Sequence, residues 1–204
     1  MKRQRRKSAP ARPRIYLAGP EVFLANAAEI GQAKCRLCAK YGFEGIYPID
    51  PEIDFGKEST RQTAYKIGLK NEELMQGCDG VIANMTPFRG PSADLGTAFE
   101  MGYVRALGRL VCAYSNVPDG FMTRTQVFLK GAVSQTEDGR IRDGDGMALE
   151  DWELADNLML ESAIVGSGGC FIVGNAPPGE MFTCLKAFER CLRRIKSKGL
   201  LIAR

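Results

Sequence analysis

The run Asp79–Ser115, DGVIANMTPFRGPSADLGTAFEMGYVRALGRLVCAYS, decides the fold. DGVIANM is mostly apolar and short, as in a strand buried on both faces. NMTPFRGPS packs Pro87, Gly90, Pro91 and Ser92 close together and reads as a loop. ADLGTAFEMGYVRALG spaces its apolar residues at helical period, with Gly108 as its stop. RLVCAYS is again a short buried strand. A strand, a helix and a second strand in this order form a right-handed crossover between parallel neighbours.

The same alternation continues outward in both directions. RIYLA (14–18) predicts a strand ending at Gly19-Pro20, and residues 24–41 a helix with Gly42 as its C-cap. FEGIYPI (43–49) predicts a strand and ESTRQTAYKIGLKNEELMQG (58–77) a helix. Beyond Ser115, QTEDGRIRDGDG (135–146) lacks apolar periodicity and reads as a surface excursion or flexible hairpin. LEDWELADNLMLESAIVG (149–166) predicts a helix, GGCFIVG (168–174) a fifth strand, and GEMFTCLKAFERCLRRIKSKG (179–199) a closing amphipathic helix. The expected fold class is α/β: a doubly wound, parallel five-stranded sheet flanked by helices. Residues 14–204 form the expected single domain, behind a basic tail at 1–13.

Charge and composition narrow the chemistry. The chain carries 28 basic and 24 acidic residues, but seven of the basic ones lie in the opening MKRQRRKSAPARPR. The body is therefore slightly acidic, and nucleic-acid binding is not expected of it. The opening lacks the apolar segment of a secretory signal, and no apolar run reaches the roughly 20 residues that span a bilayer. A soluble, cytoplasmic protein with no membrane association is the expectation. The seven cysteines sit mostly in apolar stretches such as LVCAY and GGCFIV, as reduced core residues do. Cys35 and Cys38 form a lone C-x-x-C without a second pair. No histidine is present, which excludes histidine-based nucleophile systems and histidine metal sites. Asp143 and Asp145 lack the rest of a calcium loop. Neither AGPEVF nor GCFIVGNAPPG has the G-x-G-x-x-G spacing, so neither a metal nor a cofactor is expected.

Acid–base work then falls to carboxylates, tyrosine, lysine or cysteine. Ligands of an open parallel sheet bind outside the carboxyl ends of its strands. That rule selects Tyr16, Gly19, Pro20 and Phe23 after the first strand, Asp50, Glu52 and Asp54 after the second, and 84–94 after the third. Asp79 sits at the opposite edge. Asp94 reads either as an active-site acid or as a helix N-cap, a task Ser92 could also perform. Glu100 lies two turns into an apolar helix between Gly96 and Gly102, and either faces the crevice or the solvent. An inward Glu100 has a natural partner in Tyr16 and can attack a sugar's anomeric carbon. Phe23 and Phe88 either stack on a substrate ring or pack in the core.

YLAGPEVF, ANMTPFRGPSADLGTAFEMGYVRALG and DNLML, in this order, resemble the nucleoside 2-deoxyribosyltransferases across most of residues 14–195. The resemblance implies a flavodoxin-like fold and a metal-free exchange. A 2′-deoxynucleoside is cleaved, its deoxyribosyl group is held on a glutamate, and the group passes to another nucleobase. It assigns Glu100 as nucleophile, Asp94 as a substrate-contacting acid and Tyr16 as the phenol that holds the nucleophile. Asn157 corresponds to an asparagine that reaches a neighbouring subunit's pocket and the sugar 5′-hydroxyl, which implies a homo-oligomer with a shared site. The partners implied are deoxynucleosides and nucleobases. Some members carry an aspartate where this chain has Asn71, and an amide can bond a base but cannot protonate it. Two alternatives stand beside this reading. One is a hydrolase of deoxynucleoside 5′-monophosphates, whose phosphate the Asp94 carboxylate would repel. The other is a non-enzymatic nucleotide-binding module.

Overall fold

A computed structural model describes residues 11–49 and 59–201 of the 204-residue chain. Most of the basic tail, together with Asp50, Glu52 and Asp54, lies outside the described residues.

The main sheet holds β1 (Arg14–Ala18), β2 (Glu44–Ile46), β3 (Gly80–Asn84), β4 (Leu110–Ser115) and β7 (Phe171–Val173). They are all parallel, in the order β2-β1-β3-β4-β7. This is the predicted five-stranded α/β sheet. β3 and β4 are buried at every residue, as the continuous apolar runs require.

Side-chain alternation divides the core into two layers. Tyr16, Ala18, Val81, Ala83, Val111 and Ala113 face one side. There they meet α2 (Thr60–Gln76), α3 (Leu95–Ala106) and α5 (Leu158–Gly166) through Met75, Met101, Val104, Leu160 and Ile164. Ile15, Leu17, Ile82, Leu110, Cys112 and Tyr114 face the other side. They meet Cys38 of α1 (Ala27–Tyr41) and Phe188, Cys191, Leu192 and Ile195 of α6 (Lys186–Lys198). All seven cysteines are free thiols, five of them buried.

Several elements differ from the sequence expectation, each for a local reason. The second strand stops at Ile46, because Pro48 has no N–H to donate and Ile49 N–H turns back to the Tyr47 carbonyl at 2.9 Å. Residues 20–23 form a separate 3-10 turn, so α1 starts at Ala27. The helix expected over 149–166 exists only from Leu158. Glu153 takes φ 57°, the Leu154 carbonyl bonds Phe121 N–H, and Ala155 N–H bonds Glu161 Oε1 at 2.6 Å, so these groups are taken out of any helical ladder. The closing helix starts at Lys186, after a turn in which the Glu180 carbonyl accepts from Thr183 and Cys184 N–H. α4 (Phe121–Phe128), with no buried residue, was not anticipated. The Gly- and Asp-rich stretch closes an antiparallel hairpin, β5 (Val133–Gln135) with β6 (Ile141–Asp143). Asp143 there accepts from Asp145 and Met147 N–H, as a turn residue does.

Candidate active site

The chain leaves β1 toward β2 on one side and returns to β3 on the other. The connections therefore diverge at the carboxyl ends of β1 and β3, which opens a crevice. A cavity of about 620 Å³ lies there. Gly19 and Phe23 line it from the segment after β1, Ile67 and Asn71 from α2, and Asp94, Gly96, Thr97 and Glu100 from the start of α3.

Tyr16 is wholly buried in mid-strand, and β alternation aims it at α3. Its hydroxyl donates to Glu100 Oε1 at 2.6 Å, the short distance expected of a bond to a carboxylate. Glu100 thus turns inward. Burial pushes its carboxyl up to about 7. The Tyr16 bond pulls the other way, while Asp94 and Glu21 add to the rise and Lys34 opposes it. Burial, then the Glu100 charge, holds the Tyr16 phenol protonated, far above its ordinary value. A carboxylate poised near neutrality beside a fixed donor can act as nucleophile or base.

Asp94 is the N-cap of α3 and also a lining residue of the cavity. Its Oδ2 accepts from Thr97 N–H at 2.9 Å and Thr97 Oγ1 at 3.2 Å. Ser92 does not cap; its hydroxyl donates to Asp156. Asp79 accepts from Arg14 N–H at 2.8 Å at the far edge of the sheet, a structural role. Gly96 lines the cavity, whereas Gly102 faces open space.

Gly19 is required by close approach. A Cβ there would lie 2.0 Å from Glu21 Oε2 and 2.8 Å from Asn84 Cβ. Pro20 opens the 3-10 turn and is buried, and it is not part of the lining. Phe23 is 59% exposed, lines the cavity and stacks on Phe88, with ring centroids 5.3 Å apart and planes 11° from parallel. Phe88 stands behind it, edge-on to Phe182 at 6.1 Å, and is not part of the lining. Arg89 lies over both rings, at 5.2 and 4.6 Å. Asn71 reaches the cavity from α2.

Asn157, like Phe88, is not part of the lining. It caps α5 through Met159 N–H at 3.0 Å, and its amide donates to Glu150 Oε1 at 3.0 Å.

Two polar clusters escaped the sequence reading. In the first, Lys34 Nζ meets Glu21 Oε1 at 2.6 Å with both side chains fully buried, and the Tyr114 hydroxyl donates to the same oxygen at 2.8 Å. The Tyr114 and Phe188 rings flank the ammonium at 5.6 and 5.2 Å. In the second, buried Asp156 and half-buried Arg124 meet at 3.3 Å beside the loop that leads to Asp94. Charged residues in GPEVF and on an otherwise ordinary helix resemble surface residues; only the apolar context of Glu21 in YLAGPEVF hinted at burial. No helix among the described residues is long and apolar enough to cross a membrane.

Comparison with known proteins adds the family. The family profile described as nucleoside 2-deoxyribosyltransferase matches residues 15–159. A 2-desoxiribosyltransferase from Leishmania mexicana superimposes with a TM-score of 0.60 at 26% identity, over 91% of this chain and 97% of that one. A conserved protein from Enterococcus faecalis V583 shares the fold, with a TM-score of 0.53 at 17% identity over 90% of this chain and 99% of its own. An uncharacterized protein of Schizosaccharomyces pombe is 30% identical over 198 residues, 91% of this chain and 90% of that protein.

Proposed function

The chain belongs to the nucleoside 2-deoxyribosyltransferase family, and from that premise we propose that it moves a 2-deoxyribosyl group between nucleobases through a covalent ester on Glu100. The observation that carries this reading is the 2.6 Å bond from Tyr16 to Glu100 Oε1 at the edge of a cavity that Asp94 shares. With Oε1 held by the phenol, Oε2 is the oxygen that attacks C1′ of the sugar. The C1′–O bond forms as the C1′–N bond to the departing base breaks. A water delivers the proton that base takes up. A nitrogen of the second base then attacks C1′ from the opposite side, loses its proton and restores the carboxylate. Two inversions give net retention.

The substrate lacks a 2′-hydroxyl, an electron-withdrawing group that would disfavour the cationic transition state. One carboxylate therefore suffices both to stabilise that charge and to capture it. Asn71 bonds the base edge, Gly19, held by the turn that Pro20 opens, lets the sugar approach the backbone, and Phe23, backed by Phe88, covers the ring. Asn157 lies outside its own chain's cavity, and we assign it to the neighbouring subunit's sugar 5′-hydroxyl in a homo-oligomer. Residues 14–204 are the unit that carries this activity, in the cytoplasm.

The experiment is to incubate the protein with a deoxynucleoside and a different free base, then separate the products chromatographically. Base exchange supports the proposal. Release of deoxyribose without exchange would make the protein a hydrolase, and binding without turnover would make it a binding module.

A further inference from the structure

Asp156 is 1% exposed, an unusual place for a carboxylate on a connecting segment. Its Oδ1 accepts the Ser92 hydroxyl and Asn157 N–H at 2.8 Å. Its Oδ2 accepts Ala93 N–H at 2.9 Å and lies 3.3 Å from Arg124 Nη2. Arg124 extends the same lattice, donating to the carbonyls of Pro91 at 2.7 Å, Asp119 at 2.6 Å and Ala155 at 2.6 Å. Two residues thus tie three chain segments together: the loop before α3, the start of α4 and the lead into α5. Two of the tied groups, Ser92 and Ala93, immediately precede Asp94.

A buried charge set this well satisfied contributes little net stability, because desolvation offsets the attraction. What it does supply is fixed geometry, since the loop has few alternative ways to pair the same groups. We propose that Asp156 is a positioning residue: with Arg124 it clamps residues 91–93 so that Asp94 is delivered to the mouth of the cavity beside Glu100, and it fixes Asn157 in the same set of bonds. This rests on the reading of Asp94 and Glu100 given above. The clamp touches no substrate and acts only through the residues it holds.

The test is Asp156→Asn, with Ser92→Ala as the milder variant should the first fail to fold, and Asp94→Asn as the reference. Among the described residues, the side chains that set the Glu100 proton affinity are Tyr16 on β1, Asp94 on α3, Glu21 in the 3-10 turn and Lys34 on α1. Of these, only Asp94 is held by the clamp. Loosening the clamp therefore lowers kcat by roughly two- to tenfold for each bond lost. It also moves the acid limb of the pH–rate profile downward, in the direction of Asp94→Asn. A purely structural role would lower Tm without moving that limb. Variants that fold and keep both the wild-type kcat and the wild-type acid limb overturn the proposal, as does lost stability with an unmoved limb. Glu100→Ala, run in parallel, tests the underlying reading separately: exchange activity in that variant would overturn the site assignment, whatever Asp156 does.

Discussion

Replacing Tyr16 with phenylalanine removes one oxygen from a fully buried strand residue and one hydrogen bond to Glu100. The ring stays, so β1 and its layer of the core keep their packing. A hydrogen bond to a charged group contributes about 1.5–3 kcal/mol. At 1.36 kcal/mol per pKa unit, its loss raises the Glu100 carboxyl by roughly 1–2 units. That carboxyl already stands at about 7. The acid limb of kcat/KM, which follows the ionised nucleophile, therefore moves to about pH 8–9. At pH 7 the ionised fraction falls from about one half to roughly 1–10%. Exchange at pH 7 then drops roughly five- to fiftyfold and recovers as the pH is raised. The assay is the pH dependence of base exchange between pH 5 and 10, with thermal unfolding followed alongside to establish that the variant is folded. A folded Tyr16→Phe protein whose acid limb stays in place or moves downward refutes the reasoning, because the phenol would then not be stabilising the carboxylate.

Other outcomes follow from the same geometry. Glu100 has its carboxyl raised from 4.5 to about 7. A raised acid holds its proton more tightly folded than unfolded, so this group costs stability as pH climbs through that interval. Glu100→Gln should remove on the order of 3 kcal/mol of that cost, raising Tm at pH 8 and converging with wild type near pH 4; a lower Tm at pH 8 would contradict this. Asp94→Asn keeps a side chain that caps α3 about as well and deletes a charge that raises Glu100. Its Tm should stay close to wild type while the acid limb moves to lower pH, and an upward move would count against the pairing. Phe23→Ala removes a half-exposed ring that lines the cavity. Loss of a stacking partner should raise KM for donor and acceptor roughly three- to tenfold with little change in Tm; a core-sized loss of stability with unaltered KM would make Phe23 a packing residue.

Much of this architecture is legible in the chain because burial leaves a plain signature. VIAN and LVCAYS belong to strands covered on both faces, and such strands admit few polar residues. In the sequence Glu100 could face either the crevice or the solvent, and its pairing with Tyr16 rested on the inward choice and on the family resemblance; the 2.6 Å bond shows the inward arrangement. Other parts were hidden for equally physical reasons. LEDWELAD has helical composition, but long-range bonds from Leu154 to Phe121 and from Asp156 to Arg124 draw its polar groups elsewhere. α4 has no fully buried residue and so has no apolar stripe to read. Glu21, Lys34, Arg124 and Asp156 look like solvated residues in sequence, since a charge is expected inside only when its partner is known. Those partners are separated from them by 13 residues in one pair and 32 in the other. Most of the basic tail, with Asp50, Glu52 and Asp54, falls outside the described residues.

The proposed exchange turns on a bond between one carboxylate and one carbon. Wild-type protein mixed with a deoxynucleoside and no acceptor base, quenched in acid and digested, should yield a peptide containing Glu100 that is heavier by one deoxyribosyl group. Adding a free base before the quench should discharge it. A deoxyribosyl group on any other residue, or base exchange in full swing with no adduct on Glu100 at any time during turnover, would contradict the account.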